Sequence, residues 1–252
     1  MLEIFILSLV QGITEFLPIS SSSHLIILSE YFNFENQGLS VDVSLHIGSF
    51  IAVVFYFQKD VINFIKNKKL FFKIIIASAP LMIVGFFLVQ TNFIEIIRNI
   101  EIIGWTTLIF GILLYFSDKF KLQNSIDKSF NYKSALFIGF FQILSLIPGV
   151  SRSGITISAA RMLNFKRFDA AKLSFLLSIP TLGAVSIYGL KNLIISDDIN
   201  FSILNLISIL FSFLFSLITI KFFLRYIEKF SLNLFVIYRI LLGLGLLVIA
   251  YL

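Results

Sequence analysis

Cysteine is absent from the 252 residues, so disulfides and thiol chemistry are excluded. Charge is scarce as well. Asp, Glu, Lys and Arg make up only 13% of the chain, about half of the ~25% usual in a soluble domain. No polar stretch is long enough to fold as a separate soluble domain, which places the function in or at a membrane. The opening MLEIFILSLV has neither a basic n-region nor a small-residue cleavage site, so it is not read as a removable signal peptide. Histidine is down to two residues and proline to four, and the position of each becomes informative.

What fills the chain is apolar. Hydrophobic residues reach 58%, with 31 phenylalanines and a mean hydropathy of +0.97. The apolar runs are continuous, whereas strands of a membrane barrel would alternate polar and apolar residues. The expected fold is therefore an all-α polytopic membrane protein in a single domain, residues 1–252. Spans are expected at 44–58, 71–89, 102–117, 173–190, 201–223 and 234–251, each near the ~20 residues that cross a hydrocarbon core. Two further apolar regions, 2–32 and 133–163, are interrupted by LPISSSSH and IPGVSRSG. Proline costs a helix a hydrogen bond and glycine loosens the backbone, so each region is expected to be a re-entrant helical hairpin.

The charges agree with that topology. Loops 59–73, 118–133, 161–172 and 221–233 hold sixteen Lys and Arg residues on one side. The other side keeps Arg98 and Lys191, together with Glu3, Glu30, Glu35, Asp42, Glu95, Glu101, Asp197 and Asp198. By the positive-inside rule the basic loops are cytoplasmic and both termini face outward. The basic excess is thus a matter of orientation and gives no reason to expect nucleic acid. The stretch around Pro18 overlays that around Pro148 at an offset of about 130 residues, and each copy runs on into three spans. The halves, about 1–117 and 133–252, are expected to be inverted repeats whose broken segments meet at a midplane site.

Few ionisable groups remain at membrane depth: Glu15, His24, His46, Arg152 and Arg239. Such groups cost roughly 2.5 kcal/mol or more and mark function by default. Gln11 and Glu15, four apart on one helix face, carry the oxygen donors that suit Mg²⁺ or Ca²⁺. The serine clusters open half-helices whose N-termini favour phosphate, and Arg152 adds a planar fork for phosphate oxygens. Ser20, Ser22, Ser151, Ser153 and Gly154 complete an expected diphosphate cradle. His24 and the serines could then supply a base and a nucleophile. His46 is read as packing or pocket wall. Arg239, near the cytoplasmic start of the last span, is read as snorkelling to the interface. A lipid-phosphate flippase or small-anion transporter is the alternative that inverted repeats allow.

QGITEFLPISSSSHL and PGVSRSG resemble the two signature regions of the undecaprenyl-diphosphate phosphatases, the bacitracin-resistance membrane phosphatases of bacteria. LHIGSFIAVV, SFLLSIPTLGA and FVIYR extend the resemblance over nearly the whole chain. The family's first motif falls on Gln11 and Glu15, its serine on Ser21, its histidine on His24 and its arginine on Arg152, which makes Ser21 the expected nucleophile and His24 its base or proton shuttle, with a histidine nucleophile or a metal-bound water as competitors. The resemblance implies hydrolysis of undecaprenyl diphosphate to undecaprenyl phosphate and inorganic phosphate, recycling the lipid carrier for cell-wall synthesis. It also implies a divalent cation, a multi-pass place in the bacterial plasma (inner) membrane, and a site open to the outer face. A homodimer is left open. Ser23 stands where family members usually have glycine.

Overall fold

The computed structural model describes residues 1–32, 34, 38–91, 96–195 and 203–252. Glu35, Glu95, Asp197 and Asp198 of the acidic outer set lie outside the described residues. Among the described residues there is no strand, only an isolated bridge between Asn124 and Phe165.

Six helices are long and apolar enough to cross a bilayer. They are α3 (Leu39–Tyr56), α5 (Lys68–Val89), α6 (Ile100–Asp118), α10 (Arg167–Ile195), α11 (Ile203–Lys229) and α12 (Asn233–Tyr251). Five of the six begin before their expected spans, because polar residues that hydropathy ignores start the helices. Asn67 accepts from Leu70 N–H at 3.1 Å and Asn99 from Ile102 N–H at 2.8 Å, each satisfying a donor that a helix N-terminus leaves open. Two short helices, α4 (Gln58–Lys66) and α7 (Ile126–Ser129), lie in the basic loops. The chain is a multi-pass membrane protein, and its outer faces are what a bilayer would cover: Ile83, Phe86, Phe87, Phe116, Leu241 and Val248 are all exposed.

The two interrupted regions are broken where expected. The first is α1 (Leu2–Thr14) and α2 (Ser21–Phe32); the second is α8 (Tyr132–Ile143), a 3-10 turn (Leu144–Leu146) and α9 (Arg152–Met162). At 1.5 Å per residue these helices are about 16–20 Å long, short of a ~30 Å hydrocarbon core. Their packing is reciprocal. α1 lies against α11 of the second half, α8 against α5 of the first, while α3 meets α10 and α6 meets α12. Two halves related by a pseudo-two-fold axis would pack in this way.

Small polar residues let the helices approach. A Cβ on Gly48 would stand 2.5 Å from the Ile209 carbonyl oxygen. Beside it Ser49 bonds Ser212 and Ser216 at 3.1 and 3.0 Å, the kind of interhelical polar glue that replaces the hydrophobic effect in lipid. At the basic end, Arg161 is fully buried rather than a loop charge. Asp118 pairs with Arg161 at 3.3 Å and with Arg167 at 2.8 Å, and accepts from Leu232 N–H at 3.2 Å. One carboxylate thereby ties the ends of α6, α9, α10 and α12 together.

Candidate active site

Both breaks are turned by a serine in the left-handed region. Ser20 has φ 76° and Ser151 φ 71°, a conformation that costs a residue with a Cβ and holds only where neighbours enforce it. Ser151 then caps α9, accepting from Gly154 N–H at 3.1 Å. Ser20 Oγ contacts Ser22 and Ser23 hydroxyls at 3.3 and 2.9 Å. Ser23 is fully buried in the first turn of α2 and answers Ser20 with its hydroxyl, so this helix start does not need a glycine there.

The two tips meet. Ser153 Oγ donates to the Leu17 carbonyl at 2.7 Å. Arg239 joins them more firmly. Its guanidinium donates to the carbonyls of Pro18 (3.2 Å), Val150 (3.0 Å), Gly149 (2.8 Å) and Thr107 (3.3 Å). The side chain is fully buried, and among the described residues no carboxylate pairs with it. The snorkelling expected of Arg239 is therefore wrong. Carbonyls freed by two helix breaks need donors at membrane depth, and they hold the guanidinium inside.

Around this clamp the expected residues divide. Glu15 is the hub: Oε1 accepts from Arg152 Nη2 at 2.8 Å, and Oε2 accepts from Ser21 Oγ at 2.8 Å and from Gln11 Nε2 at 3.2 Å. Arg152 also donates through Nη1 to the Ser174 carbonyl at 3.1 Å. That leaves three of its five N–H groups for an incoming anion. Glu15, Ser21 and Arg152 thus form one chain of contacts, with 137 positions between the acid and the arginine.

His24 turns elsewhere. Its Nδ1–H donates to the Ser20 carbonyl at 2.6 Å, which leaves Nε2 to accept from the Tyr238 hydroxyl at 2.6 Å, and the two rings stack at 5.7 Å. Among the described residues no hydrogen bond joins His24 to Ser21. Ser151, Ser153 and Gly154 spend their polar groups on the cap and on Leu17, facing inward. Tyr238 and Ser174 are the participants that sequence reasoning passed over, and Arg239, flagged as an ionisable group at membrane depth, was given the wrong role.

A cavity of about 100 Å³ opens beside the hub, lined by Gln11, Ser21, Ser22, Leu25, Asp42, His46 and Arg98. His46 is indeed pocket wall. A larger cavity, about 340 Å³, lies among the basic loops around Asn131 and Lys133 and touches none of these residues. For a cation, two observations matter. Gln11 Oε1 is buried without a partner, an oxygen donor of the type hard cations take. Both Glu15 oxygens, by contrast, are already engaged by protein donors.

Together these features define a class: a polytopic membrane protein whose two broken helix pairs meet around a buried carboxylate, a serine hydroxyl and an arginine, the equipment for handling an anionic head group in lipid. The chain belongs to the bacitracin resistance protein BacA family, whose pattern matches residues 4–245. It is 53% identical over 251 residues to the undecaprenyl-diphosphatase of Pelagibacter ubique (strain HTCC1062), covering 99% of this chain and 98% of the relative. Relatives of the same name from Saccharophagus degradans (44% identical; 95% and 94% covered) and Jannaschia sp. (41%; 98% and 98%) match over similar lengths.

Proposed function

We propose that this protein hydrolyses undecaprenyl diphosphate to undecaprenyl phosphate and inorganic phosphate, recycling the lipid carrier of cell-wall synthesis and conferring bacitracin resistance. The observation that carries the reading is the Ser21–Glu15–Arg152 chain of contacts, in a protein 53% identical to a named undecaprenyl-diphosphatase. Glu15 accepts the Ser21 hydroxyl hydrogen at 2.8 Å, within the range a general base requires. In the first step the Ser21 Oγ–P bond forms as the bond from the terminal phosphorus to the bridging oxygen breaks. Undecaprenyl phosphate leaves with that electron pair, and the Ser21 proton passes to Glu15. Water then attacks the phosphoserine, releases phosphate, and Ser21 regains a proton from Glu15.

Phosphoryl transfer depends mainly on positioning and charge stabilisation. Arg152 supplies both through its remaining N–H groups. The buried positive charge of Arg239 and the first turn of α2 add to the field. His24, with its ring nitrogens taken by the Ser20 carbonyl and the Tyr238 hydroxyl, would pass a proton to the leaving phosphate only by way of that hydroxyl. A divalent cation, Mg²⁺ or Ca²⁺, would take the unpartnered Gln11 Oε1 as one of its ligands. When bound it would neutralise phosphate charge.

The orientation follows from the basic loops. They face the cytoplasm, both broken pairs re-enter the face they leave, and the site and termini open to the outer side of the bacterial inner membrane. The isoprenoid tail would lie against the exposed Phe, Ile and Leu faces. The test is phosphate release from long-chain undecaprenyl diphosphate by purified protein in proteoliposomes, with Ser21→Ala alongside. Wild type releases phosphate and the variant loses about 10³-fold or more, since removing a serine nucleophile can cost as much as ~10⁶-fold. A Ser21→Ala protein with near-normal turnover would eliminate the serine mechanism, and lipid movement without hydrolysis would favour a carrier.

A further inference from the structure

The cavity beside the catalytic hub holds more unmet bonding capacity than the chemistry above uses. Gln11 is fully buried, and its Oε1 has no partner. Asp42 Oδ1, from the first turn of α3, is buried in the same condition. His46, one turn further along α3, donates Nδ1–H to the Asp42 carbonyl at 2.8 Å, so its ring is oriented and Nε2 is left over. All three residues line the one cavity, with Ser21 and Ser22. Arg98 and the Ser21 and Ser22 hydroxyls also line the cavity, yet none of them bonds Gln11 Oε1 or Asp42 Oδ1, and buried acceptors without partners are costly. A ring nitrogen fixed through a backbone carbonyl while the other is left for a ligand is how metal-binding histidines are usually held.

From these acceptors we infer that Gln11, Asp42 and His46 form the cation site, outward of the Gln11–Glu15 pair that the sequence motif suggests. This rests on the proposed cation dependence and deepens it. Glu15 is unsuited to ligation because its oxygens already hold Arg152, Ser21 and Gln11, and giving them up would unpair a largely buried arginine and release the nucleophile. Carboxylate and amide oxygens suit hard cations such as Mg²⁺ and Mn²⁺, and the imidazole, a ligand of first-row transition metals, favours Mn²⁺ of the two; water and substrate fill the remaining positions. Among the described residues no three Asp, Glu or His side chains cluster for a metal, and the amide oxygen of Gln11 is what completes this set. Arg98 also lines the mouth but is exposed, so water and salt screen its repulsion. The arrangement divides the labour: Glu15 stays a base, and the cation would add its positive charge to that of Arg152.

The experiment is Mn²⁺ binding to the purified full chain in detergent, read from the loss of the free-ion electron paramagnetic resonance signal. It needs no turnover. Asp42→Asn and His46→Gln are each expected to weaken Mn²⁺ at least tenfold, as losses at metal sites generally do, and Glu15→Gln to change it less than threefold. Unchanged affinity in both Asp42→Asn and His46→Gln overturns the site, whether or not Glu15→Gln folds. Loss of binding confined to Glu15→Gln overturns it too and returns the cation to the sequence motif. A wild-type protein with no saturable Mn²⁺ sinks the cation dependence itself, a separate result from failure of these ligands.

Discussion

Replacing Arg239 with methionine tests whether the two broken helix pairs are held by one side chain. The substitution keeps the volume roughly and removes every donor. Three carbonyls at the breaks, those of Pro18, Gly149 and Val150, lose the guanidinium bonds of 2.8–3.2 Å that serve them. A buried acceptor left without a partner costs about 1–3 kcal/mol, so the three together cost roughly 3–9 kcal/mol. A protein is typically stable by only about 5–15 kcal/mol. Even the lower figure should move the unfolding midpoint by about 6–12 °C at this chain length. Arg239→Lys keeps the charge and three donors but loses the planar fork, and it should fall between. The assay is thermal unfolding in detergent, followed by intrinsic fluorescence, with phosphate release measured well below the midpoint. An Arg239→Met protein that melts within about 2 °C of wild type would refute the clamp.

Two other substitutions probe separate parts of the frame. Asp118→Asn strips the buried Arg161 of its ion pair and should cost about 3–5 kcal/mol, the usual result of breaking one side of a buried pair; an unshifted melting curve would show the pair to be dispensable. Gly149→Ala sets a Cβ 1.9 Å from Thr106 Oγ1 at a backbone φ of +92°. It should destabilise strongly, and adding Thr106→Ala should recover only part of the loss, because the Oγ1 clash goes while the 2.9 Å approach to the Ile103 carbonyl and the left-handed backbone stay; full rescue in the melting assay would mean that neither costs anything.

The six spans and the two breaks were legible in the sequence because bilayer thickness and proline leave local marks. The hub was legible in part for a related reason: in a chain with so little charge, Glu15 and Arg152 stand out, whereas Ser21 was singled out from four consecutive serines only by the family motif. What escaped were contacts without local pattern. Arg239 reaches Pro18 across 221 positions, and nothing about FVIYR says that it turns inward instead of snorkelling. Arg161 and Asp42, grouped with loop charges by position, are committed to buried networks or cavity walls. The register between the repeats also differs. Laying Pro18 over Pro148 matches Ser21 with Ser151, whereas the left-handed turns are at Ser20 and Ser151, one position apart. Letters align by identity, but the start of a half-helix is set by which backbone position can take a positive φ.

The Arg239 clamp has a consequence for how the protein is made. The break in the first helix pair is complete in the chain once residue 20 has emerged, yet the donor for Pro18 arrives 221 positions later. At the usual synthesis rate of about 5–20 residues per second, the gap is roughly 10–45 s. Through that interval the first hairpin cannot close on its final partner and must shelter its open carbonyls against water or the insertion machinery. The site is therefore assembled last, by the final helix, and a nascent chain truncated before α12 would reach the membrane with all of its catalytic letters and no functioning centre.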